Sequence, residues 1–127
     1  MKLVYVAGAY RAKSTWDRDR NIQAAREVGA AVARLGAYPV IPHSNTGHMD
    51  GLCEDQFWID GTLELMCRCD AMILVPGWEK SSGTLGEIAK AKVLATPTFT
   101  SLMGLRHWLR TVVAQGEELP KWTARGA

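Results

Sequence analysis

The chain has 127 residues, 47% apolar and 22% charged, a size and balance that predict one folded domain (1–127) around one core and exclude a disordered chain. Fifteen basic and thirteen acidic side chains leave a formal charge of +2, and with no basic run to neutralise a row of phosphates, duplex nucleic acid is excluded as a partner. No stretch reaches the roughly 20 apolar residues of a membrane span, the opening Met1–Val6 run is too short for a leader, and Cys53, Cys67 and Cys69 are an odd set without zinc-knuckle spacing; free thiols, no metal, no cofactor and a cytoplasmic location are expected.

Leu3–Ala7 is a short apolar run rich in β-formers that stops at Gly8, the pattern of a central strand buried on both faces. From Asp17 onward, Ile22, Ala25, Val28, Gly29, Val32 and Leu35 recur at three- and four-residue steps before Gly36, which predicts an amphipathic helix. Tyr38–Ile41 reads as a second strand stopped by Pro42, and His43 to Asp55 as a polar loop without periodicity. A loop of that length in so small a domain is usually functional.

Phe57, Ile59, Leu63 and Met66 support a second helix, and Ala71–Val75 is the strongest strand in the sequence. Gly83 to Leu94 reads as a third helix, Pro97–Thr100 as a short strand, and Leu102 to Ala114 as a last helix before a polar tail from about residue 116. Strands alternating with helices predict a doubly wound parallel sheet with helices on both faces. In such a sheet a ligand lies outside the carboxyl ends of the strands, so the loops Gly8 to Asp17, Pro42 to Asp55 and Pro76 to Thr84 are the ones to watch.

In the first loop, Gly8 lets backbone approach a ligand, and Arg11 offers a fork of donors for phosphate or carboxylate. The following helix turn carries Asp17 and Asp19, which would repel phosphate there. In the third loop, Ser81-Ser82-Gly83-Thr84 offers hydroxyls and bare N–H groups at a helix start, without the GKS or GKT of a P-loop. Thr84 and Glu87 have the spacing of a capping box. Asp60 and Glu64 share a face of the second helix, and Asp60 with Glu87 could instead form the pair of carboxyl groups that breaks glycosidic bonds. Trp16, Trp58 and Trp78 stand in or beside these loops, where an indole can pack or carry a base. His43 and His48 are loop histidines of the kind usually satisfied by backbone or water.

The segments Tyr5-Val6-Ala7-Gly8-Ala9-Tyr10-Arg11, Trp58-Ile59-Asp60-Gly61-Thr62-Leu63 and Ser81-Ser82-Gly83-Thr84-Leu85-Gly86-Glu87, in that order and spacing, resemble the nucleoside 2-deoxyribosyltransferase superfamily, which includes the 2′-deoxynucleoside 5′-phosphate N-hydrolases. The resemblance implies a flavodoxin-like three-layer α/β/α fold. It also implies that Glu87 attacks the anomeric carbon of a deoxyribosyl unit, that Asp60 assists the departing base and that Tyr5 positions the nucleophile. The candidate substrate contacts are Gly8, Ala9, Tyr10, Arg11, His43, Trp78, Ser81, Ser82 and Gly83, of which Arg11 and Ser81-Ser82-Gly83 match positions that bind the 5′-phosphate in the nucleotide hydrolases. Serines before the glutamate and Arg11 are like the nucleotide hydrolases, whereas Ala9 stands where those have a phosphate-binding serine. The substrate so implied is a nucleoside or its 5′-monophosphate, and the assembly a homo-oligomer, most simply a dimer. A non-catalytic nucleotide-binding module of the same fold is the alternative.

Overall fold

The computed structural model describes residues 1–116; the polar tail lies almost wholly outside them. Four parallel strands, β1 (Leu3–Ala7), β2 (Tyr38–Val40), β3 (Ala71–Leu74) and β4 (Thr98–Phe99), form one sheet in the order β2-β1-β3-β4. Val4 pairs with Ala71 and Ala7 with Leu74 across the two central strands, while Leu3 opposes Tyr38 and Ile73 opposes Phe99 at the edges.

The helices are α1 (Thr15–Arg34), the one-turn α2 (Pro42–Asn45), α3 (Asp55–Cys67), α4 (Ser82–Val93) and α5 (Leu102–Ala114). Because side chains alternate along a strand, Val4, Val6, Ala71 and Ile73 point to one layer, where they meet Ala25 and Val32 of α1 and Leu105 and Leu109 of α5. Tyr5, Ala7, Met72 and Leu74 point to the other, where they meet Met66 of α3 and Ala91 of α4. This is a flavodoxin-like three-layer α/β/α domain. Ala71–Val75 is at most 5% exposed throughout, as its unbroken apolar run requires.

Local chemistry moves several expected boundaries. The edge strands are shorter than expected: Pro39 offers no N–H to a ladder, and Ile41 leaves β2 to become the residue before α2. Pro42 does not simply stop the strand; it occupies the first turn of α2, where its missing N–H costs nothing. Helix α1 begins two residues before Asp17, because Ser14 caps it, its Oγ accepting from the Asp17 N–H at 3.1 Å and donating to the Asp17 carboxylate at 2.9 Å. At the end of β1 a Cβ on Gly8 would fall 2.6 Å from Val75 Cβ, so glycine there permits the first loop to cross directly over the end of β3. Among the described residues no helix is long and apolar enough to cross a membrane.

Candidate functional site

Strand order reverses between β1 and β3, so the loops that leave these strands diverge and open a crevice over their carboxyl ends. That crevice holds a cavity of about 560 Å³, bounded by the loop after β1, by α2 and the segment beyond it, by one face of α3 and by the start of α4. The volume lies within the range of small-molecule sites.

Thr84, Glu87 and Ala91 recur on the face of α4 that packs on the sheet, which buries them. Glu87 thereby becomes a carboxyl group only 9% exposed on the cavity floor. The Tyr5 phenol, directed to the same layer from β1, donates a hydrogen bond to the Glu87 carboxylate. Burial pushes the Glu87 carboxyl up to about 7, against the opposing pull of the Tyr5 hydrogen bond. Tyr5 is held well above its ordinary range, by burial first and then by the charge of Glu87, so it remains the donor. A carboxyl poised near neutrality, oriented by a phenol and open to a cavity, can serve as nucleophile or base.

Glu87 is not part of a capping box. Helix α4 starts earlier than Gly83: Ser81 is its cap, with Oγ accepting from the Thr84 N–H at 3.2 Å, and Thr84 is a buried third residue whose own hydroxyl donates to Ser81 at 3.0 Å. The bond that would occupy a capping glutamate is absent from this arrangement, and Glu87 turns to Tyr5 instead. Ser81, Ser82 and Gly83 line the cavity together with Lys80, so amides at a helix start, hydroxyls and an ammonium converge where an anion would be held.

The first loop takes its place as expected: Gly8, Ala9, Tyr10 and Arg11 all line the cavity. His43 holds them there. Its Nε2 lies 3.0 Å from the Gly8 carbonyl oxygen and 3.1 Å from that of Ala9, so Nε2 carries the proton and donates to both. Burial lowers its pKa, keeping the ring neutral, and Nδ1 is a buried acceptor without a partner among the described residues. Tyr10 donates to Asp50 at 2.6 Å and accepts from the His48 N–H at 2.8 Å, tying the first loop to the second. Arg11 pairs with Asp55 at 3.1 Å.

Asp60 and Trp78 do not line the cavity. Asp55, Trp58, Ile59 and Thr62, spaced by three and four residues, are the face of α3 that lines the cavity. Asp60 precedes Thr62 by two residues, about 200° around the helix; it is exposed and accepts from Gln56 Nε2 at 2.8 Å. Trp78 follows Gly77, whose φ of 92° turns the chain so that the indole packs against the layer of Met66 and Ala91. Of the three tryptophans considered for the loops, only Trp58 lines the cavity.

Arg18 was not singled out by the sequence, which offered it only as a base between two acids. Its guanidinium bonds the Ala12 carbonyl oxygen and Thr15 Oγ1, each at 3.2 Å, and lines the cavity. The flanking acids are already engaged, Asp17 with the Ser14 cap and Asp19 with His48 at 2.5 Å. Arg18 Nε, Trp58 Nε1 and His43 Nδ1 are the three buried side-chain polar atoms without a partner among the described residues, and all three belong to residues on the wall of this cavity. Buried polar groups are normally satisfied, so these three are groups that ordered water or a ligand in the cavity would complete.

Sheet order and crevice together define a flavodoxin-like α/β domain with a cavity at its topological switch point. The chain belongs to the family described as Domain of unknown function (DUF7768), whose model matches residues 2–100, a span that includes every cavity residue named above. No curated protein matches the chain in sequence.

Proposed function

We propose that the protein cleaves or transfers the N-glycosidic bond of a nucleoside or nucleoside 5′-monophosphate through a covalent glutamyl-sugar intermediate on Glu87. The observation that carries this reading is the buried Glu87 carboxyl, held by Tyr5 at the floor of a cavity whose rim gathers Ser81, Ser82, Gly83, Lys80 and Arg11. A carboxylate nucleophile divides one difficult displacement at an anomeric carbon into two easier ones. The rim supplies donors for a ribose hydroxyl or a 5′-phosphate, and the resemblance to the nucleoside 2-deoxyribosyltransferase superfamily agrees with both roles.

The test is release of free base from a panel of ribo- and deoxyribonucleosides and their 5′-monophosphates, with and without an acceptor base. At least one member is expected to yield free base or exchanged nucleoside. The position of Asp60 outside the cavity favours a second reading, a non-catalytic module that only binds nucleotides. Binding of panel members in calorimetry without any base release would establish that reading instead.

We further propose a cytoplasmic homodimer. The three cysteines are unpaired thiols, in keeping with a reducing compartment. On α3 and α4, Phe57 is 58% and Leu85 46% exposed, and a Cβ on the mid-helix glycines Gly61 and Gly86 would meet no described atom within 4 Å beyond the adjoining backbone of its own helix. Glycine inside a helix costs roughly 0.5–1 kcal/mol relative to alanine, so two of them without an intrachain packing reason fit close approach by a second copy. Light scattering is expected to give twice the 14.0 kDa chain mass at micromolar concentration, and Leu85→Glu a shift toward monomer. A strictly monomeric wild-type protein would refute the dimer.

A further inference from the structure

Breaking the bond to an ordinary purine or pyrimidine releases a base as an anion, and a positioned general acid that protonates it speeds such steps by about 10²–10⁴-fold. Among the described residues no carboxyl or imidazole group on the cavity wall is placed for that role, and the Lys80 ammonium stands with Ser81 and Ser82 at the start of α4. On the face of α3 turned toward the cavity, Thr62 has no acidic proton to give and its hydroxyl donates to the Ile59 carbonyl oxygen at 3.1 Å. The Tyr5 proton is already committed to Glu87. Asp50 and Asp55 line the cavity but act as acceptors, Asp50 from the Tyr10 hydroxyl at 2.6 Å and Asp55 from Arg11 at 3.1 Å. The Tyr10 bond holds Asp50 below the ordinary carboxylate range, so it stays ionised. The Nε2 proton of His43 faces the Gly8 and Ala9 carbonyl oxygens.

We propose that the site takes N-glycosides whose base already bears a positive charge at the glycosidic nitrogen, with pyridinium nucleosides and nucleotides as the class. This rests on the glycosidase reading above and narrows it. Glu87 Oε forms a bond to the anomeric carbon while the carbon–nitrogen bond breaks, its electron pair passing to the ring nitrogen. The base leaves as a neutral pyridine, so no proton is required. Water then attacks the anomeric carbon, the ester bond breaks with its electron pair returning to Glu87, and the water's proton passes to solvent. For a cationic ring the wall offers the Asp50 carboxylate, which has no cationic partner of its own among the described residues whereas Asp55 is paired with Arg11, and the Trp58 side chain in the same space. Lys80, Ser81 and Ser82 stand at the start of α4, apart from those carboxylates in the chain, and suit an anionic 5′ substituent.

The experiment compares base release by the wild-type protein from nicotinamide mononucleotide and nicotinamide riboside with release from uridine and adenosine and their 5′-monophosphates, each corrected for spontaneous hydrolysis. The expected result is kcat/KM at least about 10²-fold higher for the pyridinium substrates, the lower bound of what a missing general acid would cost. Thr62→Asp, which adds an acid to the cavity face of α3, is expected to narrow that gap by raising release of the neutral bases. Equal or faster release of uracil or adenine, lost in Glu87→Gln, would overturn the leaving-group proposal and leave the glycosidase reading standing. Absence of release from both classes would overturn both.

Discussion

Glu87→Gln is expected to abolish base release, by about 10³-fold or more, while leaving the fold and nucleotide binding intact. The amide has the shape of the carboxylate and its oxygen can still accept from the Tyr5 hydroxyl, so the packing of α4 on β1 is kept. What it lacks is the anionic oxygen that would attack the anomeric carbon, and a nucleophile removed from a two-step displacement leaves only ligand binding and positioning. The loss is expected in kcat, with calorimetric affinity for a substrate changed by no more than a few fold. Tyr5→Phe is expected to lie between, because it removes a positioning hydrogen bond and not the reacting atom. Release of base by Glu87→Gln at the wild-type rate would remove this glutamate from the mechanism, and with it the reading of the cavity as a glycosidase site.

The sheet was legible because its information is one-dimensional. Leu3–Ala7 and Ala71–Val75 are continuous apolar runs closed by Gly8 and Pro76, and a run apolar on both faces fits only the middle of a parallel sheet. The helix ends were legible to within a few residues, where single hydrogen bonds decide. Three hydroxyls in Ser81-Ser82-Gly83-Thr84 can each cap a helix in principle, and spacing favoured Thr84 with Glu87. The choice of Ser81 instead moves the cap by three residues, and it leaves Glu87 free to face Tyr5.

The site was legible where function depends on which loop a residue occupies, and illegible where it depends on rotation about a helix axis. Gly8, Arg11 and Ser81 fall on the crevice because the carboxyl ends of β1 and β3 do. The acid on α3 required angular information: Asp60 and Thr62 are close in sequence, yet only Thr62 is on the cavity face. The apolar residues Phe57, Ile59, Leu63 and Met66 could not decide it, since Thr62 stands three and four residues from Ile59 and Met66 while Asp60 stands three from both Phe57 and Leu63. Arg18 carried no sequence signal, because its partners are a carbonyl oxygen and a threonine hydroxyl, which leave no pattern.

The same glutamate makes a second, opposite prediction, in stability. A carboxyl whose ordinary pKa of 4.5 is pushed up to about 7 by burial binds its proton more tightly folded than unfolded. Below pH 4.5 both states are protonated and burial of the group carries no ionic penalty. As pH rises from there toward 7 the unfolded chain releases the proton while the folded chain keeps it, so stability falls over this window; above about 7 the fall is complete and amounts to about 3 kcal/mol. Glutamine has no proton to lose, so Glu87→Gln should escape the fall. Any cost of leaving its amide N–H groups unpaired is the same at every pH, and therefore the quantity to measure is the change with pH. Urea denaturation at pH 4.5 and pH 8.5 is expected to show the difference in unfolding free energy between Glu87→Gln and wild type moving in favour of the mutant by about 2–3 kcal/mol at the higher pH. Retention of a carboxylate that destabilises the folded chain at neutral pH is what a site kept for chemistry looks like. An equal difference at both pH values would mean that Glu87 is solvated when ionised, and the pH-rate profile, expected to rise through about 7 as the nucleophile ionises, would then rise near 4.5 instead.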